Sequence, residues 1–149
     1  MHQISFQMAR VSFTLLFLGI SFIQVLSIPG QLAHIRRTNG ITSAFEVALT
    51  FVIGMWLLCG QVGLIYLWKI VGRMKENRFY SKGSLELVRR FLLTLKIASA
   101  IPILLFIMLI PQADDPGFFV LLGVVTLFIL SLAVTTSLLR DQIEIKTKE

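Results

Sequence analysis

Four long apolar runs, separated by short polar stretches, set the pattern of this chain. Val11 to Ile28 (18 residues), Phe45 to Trp68 (24), Phe91 to Ile110 (20) and Phe118 to Leu139 (22) carry almost no charge. At about 1.5 Å of helix per residue, each run can cross a hydrocarbon core of about 30 Å. The pattern predicts an all-α membrane protein, a four-transmembrane-helix bundle forming one integral membrane domain over residues 1–149. Little chain is left for a soluble domain, and no repeat or low-complexity segment divides it. The first run has a rival reading as a cleaved signal peptide, because Arg10 precedes it and Val25-Leu26-Ser27 offers modest residues near its end. Eighteen apolar residues exceed the usual h-region of about 7 to 15, and no A-x-A site follows, so a retained span is expected.

The polar stretches carry helix signals. Ser43-Ala44-Phe45-Glu46 matches the capping box, with Ser43 as the cap and Glu46 reaching back. The alternative for Glu46 is a proton or cation site at the outer mouth of the bundle. Asp115-Pro116 supplies a cap and a first-turn proline for the fourth helix, against an outer cation or ligand site at Asp114 and Asp115. From Ser43 the second helix meets no breaker until about Asn77, roughly 52 Å of helix, and so projects past the bilayer. Ile70, Val71 and Met74 continue its apolar stripe, Ser81 to Ser84 with Gly83 supply a turn, and Leu85, Val88 and Leu92 resume at helical spacing. A helical hairpin between helices 2 and 3 is therefore expected, with Phe79 and Tyr80 at its tip.

Composition agrees with a membrane protein: 56% of residues are apolar and the mean hydropathy is +0.83, against about 45–50% apolar for soluble domains. The net charge of +6 gains meaning once the basic residues are sorted by loop. Seven lie in residues 69–90, and Arg10, Arg140, Lys146 and Lys148 flank the first and last runs. Only Arg36 and Arg37 lie between the first two runs, while Asp114 and Asp115 precede the last. Cytoplasmic loops collect Lys and Arg, so the hairpin and both termini are expected in the cytoplasm. Attraction to anionic lipid of the bilayer accounts for the remaining basicity. Direct nucleic-acid binding is not expected, since no reading motif is present.

Candidate chemistry is sparse. The single cysteine, Cys59, lies mid-span and excludes a paired-cysteine redox or metal site. His2 and His34 fall on opposite sides of the membrane in this topology. No loop gathers a nucleophile, a base and an orienting group, so neither an enzyme nor a cofactor is expected. The intramembrane polar candidates are Lys96, Gln61 and Gln24. Lys96 is a functional candidate by its position, yet it is close enough to the end of its run to snorkel. The two glutamines read as interhelical hydrogen-bond partners. Pro102 frees the carbonyl of Ala98, bends the third helix and leaves Ser99 to fill in. Gly54, Cys59, Gly60 and Gly63 permit close helix approach without a strict G-x-x-x-G, which leaves a homo-oligomer open. Arg73, Arg78, Phe79, Tyr80, Arg89 and Arg90 are the partner-binding candidates, because aromatic and Arg side chains dominate interfaces. The competing reading is a stop-transfer cluster with a packed turn.

The stretch "ENRFYSKGSLELVRR", then a span, "ADDPG", a last span and "RDQIEIKTKE" resembles the YoaS-like family of small four-span bacterial membrane proteins, a domain of unknown function. The resemblance is clearest from the second span onward. The family's turn has Phe-Ser, then Asn, then Leu-Arg. Here Tyr80 separates Phe79 from Ser81, Ser84 stands near the Asn place, and Val88-Arg89 replaces Leu-Arg. Such proteins are often encoded beside an Xre-type helix-turn-helix regulator. The resemblance implies an inner-membrane protein that acts as a regulatory or sensory partner of a cytosolic regulator. The alternative is a small transporter or an accessory subunit of a transport complex. Coupled cation transport would want an embedded carboxylate, and the spans hold none beyond Glu46.

Overall fold

The computed structural model describes residues 2–27, 30, 37, 42–76, 78–110 and 116–148. Helix α1 (His2–Phe22) runs into a short π-helical stretch (Ile23–Ser27), followed by α2 (Ser43–Lys75), α3 (Lys82–Leu109) and α4 (Pro116–Lys148). All four helices are long and apolar enough to cross a membrane, and among the described residues there is no strand. The chain is an all-α, multi-pass membrane protein. His34, Asn77, Asp114 and the Asp115 cap lie outside the described residues, though α4 does begin at Pro116.

Each helix packs chiefly on its neighbour in the sequence: α1 on α2, α2 on α3, α3 on α4. Helix α3 takes the central place because it carries a continuous buried stripe, Ser84, Val88, Phe91, Leu95, Ala98, Pro102 and Leu105, at spacings of three and four residues. Toward one end Leu105 meets Leu49 and Leu122. Toward the other, Phe91, Leu92 and Leu95 meet Ala133. Gly63 lies beside the second contact, where a Cβ would stand 3.5 Å from the Phe91 ring. Leu15, Phe51, Ile107 and Phe128 point outward. Such a surface suits lipid rather than water.

Local chemistry departs from expectation at three places. The cap of α2 is Thr42, extended at φ −67° and ψ 148°, whose side chain accepts from the Phe45 N–H. Ser43 is the first helical residue, and Glu46 falls one position beyond the place from which a capping-box Glu reaches back. Its own N–H bonds the Thr42 carbonyl at 3.1 Å. The turn after α2 also comes earlier than expected. Glu76 N–H donates to the Gly72 carbonyl and Arg78 N–H to that of Arg73. Ser81 caps α3, accepting from the Ser84 N–H at 3.3 Å, so Gly83 sits inside the first helical turn. Finally, the carbonyl freed by Pro102 is not served by Ser99, whose hydroxyl donates to the Lys96 carbonyl at 2.8 Å. Trp56 of α2 reaches across and donates its indole N–H to the Ala98 carbonyl at 3.0 Å.

Candidate functional site

The polar extensions of α2, α3 and α4 meet at one end of the molecule, joined by the start of α1. At the tip, the Ser84 hydroxyl donates to the Arg78 carbonyl at 2.9 Å and lies 3.2 Å from the Ser81 hydroxyl. Ser84 is 0% exposed. A buried hydroxyl with these partners ties residues 78–81 to the first turn of α3, so the loop has a defined course. On it Phe79 is half-buried and Tyr80 is 52% exposed. Their rings meet edge to face, 5.3 Å apart at 76°.

The largest difference from the sequence reading is the end of α4. Residues 140–148, expected as a charged tail, continue the helix to Lys148 and dock on the hairpin. Ile143 is 0% exposed, Lys146 Nζ lies 4.5 Å from the Tyr80 ring centroid, and Arg89 pairs with Glu144 at 3.4 Å. Magnitudes decide which contact holds the extension. An exposed ion pair contributes about 0–1 kcal/mol and an exposed cation–π contact about 0.5–1 kcal/mol, whereas full burial of an Ile side chain gives about 1.5–3 kcal/mol. Ile143 is the principal fastener. Beside it, Lys82, Leu85, Arg89, Glu144 and Thr147 line an opening of about 310 Å³.

The six expected interface residues divide between two faces. Tyr80 and Arg89 contact the end of α4, Phe79 lies edge to face on Tyr80, and Arg78 is exposed on the same loop. Arg73 and Arg90 face the other way, toward α1, where they share a cleft with Arg10 and Lys69. Arg90 is paired with Glu86 at 2.9 Å, one turn away. Within the spans, the Gln61 amide donates to Ser21 Oγ at 2.9 Å and the Gln24 amide to the Gly54 carbonyl at 3.3 Å. The first joins α1 to α2, the second the π-helical stretch to α2. Lys96 is exposed on α3, apart from either polar face. Among the described residues, no group of three or more His, Cys, Asp or Glu is placed to hold a metal.

Four residues of this polar end and of the core were not singled out from the sequence: Trp56, Gly72, Ile143 and Lys146. The i, i+4, i+7 spacing of Thr136, Arg140 and Ile143 after a long apolar run was the available signal for the last two. A search of curated proteins found no match, and a search of solved structures found none either. A family model described as "Protein of unknown function (DUF2975)" matches residues 30–145. The matched stretch takes in α2, α3 and nearly all of α4, and it leaves out α1. The chain therefore belongs to the DUF2975 family of proteins of unknown function.

Proposed function

We propose that this is a non-enzymatic regulatory or sensory protein of a bacterial inner membrane, with both termini and the hairpin in the cytoplasm, that docks a cytosolic protein on the hairpin tip and the end of α4. The observation that carries this reading is the ordered platform beyond the spans, in which Ser84 and Ile143 are both 0% exposed. A stop-transfer signal needs only charge; it does not need a fixed loop presenting two aromatic rings. The charge asymmetry between loops supports the cytoplasmic side. Within the same proposal the family is the YoaS-like one, and the partner is an Xre-type helix-turn-helix regulator.

The test uses the full chain, immobilised in detergent, against the cytosolic fraction of the source bacterium, with captured proteins identified by mass spectrometry. The parent should retain one helix-turn-helix protein. Phe79→Ala with Tyr80→Ala should lower that capture about tenfold or more, as loss of central interface aromatics does, and rising salt should weaken it further. Equal capture by parent and double variant would reduce the stretch to a stop-transfer cluster.

A further inference from the structure

Two openings on the α1 side of α2 share a wall. Within the apolar spans, a groove of about 340 Å³ runs between α1 and α2, lined by Phe13, Phe17, Leu64 and Ile65 and ending at Trp68 and Lys69. Past Trp68 and Lys69 it meets a cleft of about 580 Å³, which also takes in Arg10, Arg73 and Arg90 with Glu76 and Glu86. Taken together as one opening, the two are apolar along one length and cationic at the other end.

The charges do not cancel. Arg10, Lys69, Arg73 and Arg90 face two carboxylates, and Arg90 already has Glu86 at 2.9 Å. Among the described residues, none of the ion pairs involves Arg10, Lys69 or Arg73. The Arg10 guanidinium lies 5.5 Å from the Trp68 ring centroid, and its Nε is buried without a hydrogen-bond partner. A buried donor left unmade is costly, and it marks the Arg10 guanidinium as short of acceptors. Two glycines lie against the guanidinium groups. A Cβ on Gly72 would stand 3.5 Å from Arg10 Nη2, and one on Gly83 would stand 3.4 Å from both terminal nitrogens of Arg73.

We propose that this opening binds one anionic glycerophospholipid, its phosphate among Arg10, Lys69 and Arg73 and one acyl chain in the α1–α2 groove. Phosphate oxygens accept several charge-assisted hydrogen bonds at once, and basic pockets between membrane helices suit anionic headgroups. A free phosphate would use the cations and leave the groove without an occupant. The amphiphile uses both. Trp68 stands where they join, the level at which Trp side chains mark the interface. None of the residues in the apolar window of α1 is buried by protein, so a lipid seated between α1 and α2 would also help hold α1 in place. The proposal needs no cytosolic partner.

Tryptophan fluorescence supplies the test, since the chain has two Trp, one of them at the site. The full chain is reconstituted in phosphatidylcholine vesicles holding either chain-brominated phosphatidylglycerol or chain-brominated phosphatidylcholine, because bromine quenches Trp on contact. The anionic lipid should reach half-maximal quenching at about tenfold lower mole fraction, given several cations near one phosphate. Arg10→Gln with Arg73→Gln should abolish that preference. Lys69→Gln, at an exposed residue whose loss spares the packing, should lower it about three- to fivefold; it keeps the test decisive if the double variant does not fold. Lys75→Gln, outside the opening, should leave it unchanged, as should excess inorganic phosphate. Equal quenching by the two lipids would overturn the proposal. So would an equal effect of Lys75→Gln and Lys69→Gln, and displacement by inorganic phosphate would assign the cations to a free anion instead.

Discussion

Pro102 and Trp56 answer one problem between them. Proline has no N–H, so the Ala98 carbonyl is left without its helical donor in an apolar interior, where an unmet acceptor is costly. The Trp56 indole N–H supplies that donor from 42 residues away, and a weak point of α3 becomes a tie to α2. Trp56→Phe should lower unfolding stability in lipid bicelles by about 0.6 kcal/mol, and by no more than about 1.7 kcal/mol for the hydrogen bond. In a Pro102→Ala background, where residue 102 regains its N–H, that part of the loss should vanish. A double-mutant cycle with no coupling would show that the bond contributes nothing. The freed carbonyl was legible in the sequence because it follows from proline alone. Its donor was not, because only packing brings residue 56 to residue 98. Thr42 teaches the same lesson on a smaller scale. Thr and Ser are both favoured caps, and the residue type does not say which of Thr42 and Ser43 takes the extended backbone of the cap.

At the level of elements, the four spans were legible because lipid demands apolar side chains around most of a helix, and composition alone records that demand. The end of α4 was not. Most of residues 140–147 are exposed or half-exposed; of the two Ile there, only Ile143 is buried and Ile145 is 59% exposed, so one side chain docks the extension and leaves a faint pattern. Ile143→Ala should therefore cost about 2–5 kcal/mol, as large-to-small changes at buried sites do. Arg89→Ala, which removes only the exposed pair with Glu144, should cost about 0–1 kcal/mol. Protection of the 140–148 amides from hydrogen exchange measures both. The opposite ranking would mean that charge rather than burial fastens the extension. The lipid-facing opening was half legible: its basic residues stood out, but the path of Arg10 over Trp68 depends on α1 lying against α2.

For the whole molecule, the decisive quantity is which face of the membrane receives the polar end. Arg10, residues 69–90 and the last turns of α4 lie together, as the contacts of Arg10 with Trp68 and of Lys146 with Tyr80 require. Single cysteines at Gln31, Lys82 and Gln112, in a Cys59→Ser background, should be labelled by an impermeant maleimide in intact cells at the first and third only. Labelling at position 82 would put the platform outside and remove any cytosolic partner. The order of packing bears on how such a chain is made. Because the helices pack mainly on their neighbours in the sequence, few distant closures are needed, and closure entropy stays small. A nascent chain can seat α2 on α1, α3 on α2 and α4 on α3 as each leaves the ribosome, with local contacts favouring rapid assembly. No segment has to wait in the bilayer for a distant partner still to be synthesised.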